Sequence, residues 1–226
     1  MRLLCGITSD WSALYPEFTV WKPLRLMRRV GPVVLGIMLD RSTSGDAYYP
    51  HAHVHAATRD FPDICLTLTQ RLVKPSGVPE RIPLDRHGEK FVDAACRLKA
   101  QSPLPLEAVP TLEQVIQRYR SYAMDVQRAR IPNAIPELED CVLVPAVAGD
   151  DELASESLQA ATRVAAGWSK AEAPWGWDGT ENWLEWLARR MLDVEGLAAT
   201  VEEQVLKHEL SKVRTVPWTR RAHAAE

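Results

Sequence analysis

The sequence predicts an α+β fold: an N-terminal antiparallel meander of three to four strands, with a C-terminal helical part packed on it or standing beside it. Three observations carry this. Apolar runs and period-two alternation fill the first third of the chain. Helical spacing with N-terminal capping signals recurs after Pro110. Between them, Ser102-Pro103-Leu104-Pro105-Leu106 and Pro110 mark a joint. The chain thus divides into a strand-rich part over residues 1–105, a helical part over residues 110–213, and a tail over residues 214–226 with no core pattern, expected to fray.

The elements follow in order. Residues 18–28 read as a strand with partial alternation, and Pro23 puts it at a sheet edge because proline donates no ladder hydrogen bond. Gly31-Pro32 is a turn signal. Residues 33–39 are continuously apolar, which suits a strand covered on both faces. Residues 40–50 are polar, with Ser44-Gly45-Asp46, and read as a loop. Residues 49–57 form the next strand. Residues 58–62 break the pattern, and 64–69 alternate as a half-buried strand. Short connections favour antiparallel neighbours. After a proline-rich, charged stretch over 73–87, a helix over 88–100 has Phe91, Ala94, Ala95 and Leu98 on one side.

The helical part begins with a capping box, Thr111-Leu112-Glu113-Gln114, in which threonine and glutamine satisfy each other's orphan amides. Leu112, Val115, Ile116, Tyr119, Tyr122, Ala123 and Val126 then form an apolar stripe, and Pro132 and Pro136 lie beyond its end. Residues 141–145 read as a strand or a buried extended segment. Asp150-Asp151-Glu152 places negative charge at the head of an alanine-rich helix over 153–166. A Trp/Gly/Pro loop over 168–179 leads, with a box-like start at Asp178 and Glu181, into a long helical run. Its stripe includes Trp183, Trp186, Leu187, Met191 and Leu197, with Gly196 as a candidate break. There is no internal repeat.

Composition bounds the function. With 46% hydrophobic and 25% charged residues among 226, the chain lies in the ordinary globular range. Net charge is −3. Residues 1–110 carry 14 Lys/Arg against 11 Asp/Glu, and residues 111–226 carry 13 against 19. That balance suits a phosphate-backbone binder poorly, so nucleic acid is not the expected partner. No apolar run approaches the length of a membrane span. Cys5, Cys65, Cys96 and Cys141 have no CxxC spacing and read as free thiols of a reducing compartment, with the cytoplasm as the expected location. The two apolar residues before Cys5 are too few for a lipoprotein signal. GxSxG, Walker, GxGxxG and HExxH patterns do not occur.

Half of the six histidines, His51, His53 and His55, fall at alternate positions of one strand and so share one face, opposite Ala52, Val54 and Ala56. Two imidazoles at i and i+2 can converge on zinc or another divalent transition metal and activate a water for hydrolysis, with Asp60 or Asp63 orienting a ring. The competing readings are a solvent- or partner-facing strand surface and a set of neutral core histidines. Cys65 is a candidate thiolate only beside a histidine, and otherwise an ordinary strand cysteine. Arg25, Arg28 and Arg29, with Lys22, make a basic patch for an acidic partner, or a charged edge that discourages aggregation. Trp175 and Trp177, between Gly176 and Gly179, are candidate anchors for a protein partner, against the reading that loop tryptophans fill a joint.

No catalytic constellation is complete. The expected function is therefore a non-enzymatic protein-interaction module. Size and shape suggest an accessory or immunity component of a bacterial conflict or defence system, by analogy only. The alternative is a metal-dependent hydrolase using the His51/His53/His55 face.

Overall fold

Five strands run side by side in chain order: β1 (Thr19–Lys22), β2 (Arg25–Val30), β3 (Val33–Arg41), β4 (Ala47–Ala56) and β5 (Leu68–Arg71), each antiparallel to the next. A two-residue β6 (Ile82–Pro83) pairs with the start of β4, and β7 (Thr215–Val216) pairs parallel to β2. The helices are α1 (Arg2–Leu14), α2 (His87–Gln101), α3 (Leu112–Arg128), α4 (Ile135–Val147), α5 (Asp151–Ala165), α6 (Thr180–Leu192) and α7 (Val194–Lys207). The computed structural model of the chain describes residues 2–64, 68–128, 134–168 and 179–218. The α+β class and the antiparallel meander are as expected from sequence.

Local chemistry explains most boundaries. The capping box forms: Gln114 N–H donates to Thr111 Oγ1 at 3.2 Å, and Thr111 N–H donates to Gln114 Oε1 at 2.9 Å. Asp150 Oδ1 accepts from Leu153 N–H at 3.0 Å and starts α5. The expected single strand over 18–28 is instead the hairpin β1–β2. It turns at Pro23-Leu24, where Leu24 takes a φ of +65°. That left-handed backbone is held by tertiary anchors, since Leu24 N–H donates to Thr8 Oγ1 and Leu24 O accepts from Leu39 N–H, both at 2.9 Å.

Three further expectations are corrected. Residues 141–145 belong to the helix α4. Pro136 sits in its first turn, where no amide is needed, and Val142, Leu143 and Val144 are buried on all sides, so their run mimics a buried strand. The long run after residue 179 breaks at Asp193 rather than Gly196. Asp193 Oδ1 accepts from Gly196 N–H at 3.0 Å, and a Cβ at Gly196 would overlap that carboxylate. The tail does not fray from Arg214: Thr215–Val216 form β7, and Trp218 packs on the core beside Gly31. Residues 219–226 lie outside the described residues.

The sheet has two unlike faces. One carries Leu26, Leu35, Ile37, Ala52 and Val54 and is covered by α1 and α2 together with α3 and α4. There Trp11 Nε1–H donates to the Tyr48 hydroxyl (3.1 Å), which bonds His87 Nδ1 (2.7 Å), whose Nε2 meets Asp10 (3.0 Å). This chain ties α1 and α2 to β4. The helices α3–α7 build a second core around α4, with Leu138, Val142 and Leu143 against Ala161, Trp183, Leu187 and Leu197. The opposite face of the sheet carries the histidines. It is covered in part by the segment after α7, where Leu210 and Val213 meet Trp21, Met27 and Val34.

Candidate functional site

The histidine face is extended and one-sided, as expected, but it is interior. His51, His53 and His55 are only 3%, 2% and 1% exposed. Register explains how. His53 lies opposite Gly36, and its ring crosses the space a β-carbon would fill. Burial, reinforced by His55 and Arg25, pushes the His53 pKa down to about 3, so the ring is neutral. Its two nitrogens have no hydrogen-bond partner among the described residues. His55 meets Phe61 edge-on at 5.0 Å. Arg71 Nε–H donates to His51 Nε2 at 3.2 Å, which puts the His51 proton on Nδ1. Burial first, opposed by Asp40 and aided by Arg71, lowers the His51 pKa as well. The carboxylate beside this face is Asp40, 3.4 Å from His51 Nε2, rather than Asp60 or Asp63; Asp60 accepts from Gln204 at 3.0 Å. Among the described residues, no three His, Cys, Asp or Glu side chains cluster as metal ligands would.

A second polar cluster, which sequence reasoning missed, lies where the sheet meets the helices. Arg59, just after β4, donates from Nη1 to Glu139 at 2.9 Å and from Nε to Asp140 at 3.2 Å. Thr58 donates to the same Asp140 oxygen at 3.1 Å, and Trp183 Nε1–H donates to Glu139 at 2.8 Å. Glu137 stands one turn before Asp140 on α4. Desolvation raises Glu137 to about 7 and Asp140 to about 6, although Arg59 pulls both down. Two carboxyls thus pair with one guanidinium inside the protein, and a third, Glu137, lies near enough to feel its charge. Charged residues heading the apolar run 141–144 were the available signal, since a helix buried on all sides must bury them too.

The open surface is elsewhere. The helices α3 and α5 both pack on α4 and leave a groove between them, with Ile116 and Leu138 at its floor. One section, about 600 Å³, runs from Pro103-Leu104-Pro105 along Gln117, Arg118 and Ser121 and meets Leu153 and Glu156. The next, about 530 Å³, is lined by Met124, Ala160, Arg163 and Val164. Arg120 lines both, so the sections are adjacent. Met124 is 40% exposed. The Nε atoms of Arg118 and Arg120 are buried with no acceptor among the described residues, and Arg120 Nη2 donates to Ser157 at 2.7 Å.

The expected basic patch is split. Arg25 is exposed and shares the histidine face. Arg28 is 1% exposed and points into the opposite core, where it donates to Pro105 O (3.3 Å) and Ala108 O (2.8 Å); it is a core clamp, not a partner surface. Arg29 is half-buried beside β7, its N–H bonded to Arg214 O at 2.9 Å. Cys65, Trp175 and Trp177 lie outside the described residues. No helix among the described residues is long and apolar enough to cross a membrane. The chain was compared with protein-family models, curated proteins and solved structures. It matches none of them.

Proposed function

We propose that the chain acts by binding another protein, seating an acidic amphipathic helix of that partner in the groove between α3 and α5. The supporting observation is the groove's mix of apolar walls with the half-buried guanidinium groups of Arg118 and Arg120. A partner carboxylate would form charge-assisted bonds with the guanidinium donors that still face the groove. From Glu113 to Met124 the α3 wall is about 17 Å long, three helical turns, which suits a docked helix with anchors at i, i+4 and i+7. Glu113 and Glu156 line only the section near the prolines, while Arg120 and Arg163 are the charged groups of the other. The accessory or immunity role expected from size and shape belongs to this reading, because such a component acts by occluding its partner.

The alternative, metal-dependent hydrolysis on the histidine face, needs ring nitrogens open to metal and water. The burial of His51, His53 and His55 favours binding over that chemistry. The test is a photo-crosslinking residue at position 124, with position 78, exposed on the far side of the joint, as control. Cross-links from position 124 to an acid-rich helical segment of one protein are expected. They should fall about tenfold with Arg120→Glu and Arg163→Glu combined, because charge reversal opposes an acidic partner. Equal cross-linking from positions 124 and 78, or indifference to the charge reversal, would overturn the proposal.

A further inference from the structure

We propose that the outer end of the histidine face, roofed by Arg25 and Arg71, binds a small phosphate-bearing ligand with those two arginines as its arms. Register builds the site. Arg25 on β2, Met38 on β3, His51 on β4 and Arg71 on β5 pair directly across the sheet, so all four side chains share one face. The two arginines stand three strand spacings apart, about 14 Å. Each side chain reaches roughly half that distance, so both guanidinium groups can meet one anion over Met38 and His51. Arg71 leans inward over β4, donating from Nε to His51 at 3.2 Å.

The arms are also unspent. Both side chains are exposed, and neither Arg25 nor Arg71 forms an ion pair among the described residues. Each is steadied against an aromatic ring, Arg25 near Trp21 (5.8 Å) and Arg71 over Tyr49 (5.4 Å), and Arg71 also gives its Nε–H to His51. Asp40 also stands at this end, 3.4 Å from the neutral His51 ring, and its charge is what the two guanidinium groups must outweigh. Two planar forks brought onto one anion would suit a tetrahedral oxyanion, which accepts several charge-assisted bonds at once. The net negative charge of the chain favours a small phosphate over a polyanion.

Inorganic phosphate and sulfate are the probes, titrated at low ionic strength while the arginine Nε–H signals are followed by NMR. Saturable shifts of the Arg25 and Arg71 signals are expected with a dissociation constant on the order of 1 mM. Affinity should weaken at least about tenfold in the Arg25→Gln/Arg71→Gln double variant and hold in Arg189→Gln, an exposed control on α6. Signals of wild-type Arg25 and Arg71 that stay still up to about 20 mM, or equal binding by the double variant, would overturn the site. A short single-stranded oligonucleotide serves as the last arm. Binding by it about 100-fold tighter than phosphate, with a steep salt dependence, would overturn the small-ligand assignment in favour of a nucleic-acid backbone.

Discussion

Gly36→Ala is expected to cost about 3 kcal/mol, the upper end of what overpacking a core does. The added methyl group would occupy the space of the His53 ring, well inside van der Waals contact with Nε2, Cε1 and Cδ2. Neither partner has room to yield. β3 is paired on both sides along this stretch, and the ring is wholly enclosed. Urea denaturation reads the effect. The specific signature is its reversal: His53→Ala vacates the ring, so the double variant should recover most of the stability that Gly36→Ala alone removes. A Gly36→Ala protein within about 0.5 kcal/mol of wild type would mean that the ring lies elsewhere.

Removing Arg59 should have the other large effect. Arg59→Ala leaves Glu139 and Asp140 buried without their cation, and breaking a buried pair in this way costs about 3–5 kcal/mol. The loss should be smaller at pH 5 than at pH 7.5, because stranded carboxyls can take up protons. The same cluster gives the wild type an unusual pH term. Glu137 and Asp140 have folded pKa values of about 7 and about 6, above the unfolded values near 4. Their folded forms hold protons more tightly, so their contribution is most favourable in acid and is lost as pH rises from about 4 through 7. His53 acts oppositely: its folded pKa near 3 lies below the unfolded value, so stability present above about 6.5 is lost on acidification. The two terms offset each other between pH 4 and 6.5, and a variant is needed to separate them. Glu137→Gln should gain on wild type by on the order of 2 kcal/mol between pH 4.5 and 7.5. A constant difference across that range would show that Glu137 is not desolvated.

The meander was legible because its cues are local. Alternation, Gly31-Pro32 and the one-sided histidines each act within a few residues, and β2 to β4 form where those cues lie. The burial of Arg28 was also readable: it shares parity with Leu26 and Val30, so a strand that buries those two buries Arg28 with them. The helix α1 carried a stripe, Leu4, Ile7, Trp11 and Leu14, that the strand-rich surroundings masked. Other features had no local signal. An apolar run such as 141–144 suits a buried strand or a buried helix equally, and α4 is decided by the helices packed around it. β7 pairs with β2 from nearly 190 residues away in sequence. The interior place of the histidines depends on Gly36 in the neighbouring strand, so no reading of residues 49–57 alone reveals it. The groove between α3 and α5 exists only because both helices rest on α4.

The preference for binding over metal-dependent hydrolysis rests on the histidine rings being sealed inside the sheet's second face. Titration of the imidazole nitrogens by ¹⁵N NMR between pH 4 and 8 tests that most directly. The His53 ring should stay neutral and unshifted down to pH 4, in keeping with a pKa near 3, and added zinc should leave its signals unchanged. A His53 midpoint near 6.5, or signals that move or broaden stoichiometrically with zinc, would show an accessible ring and contradict the account.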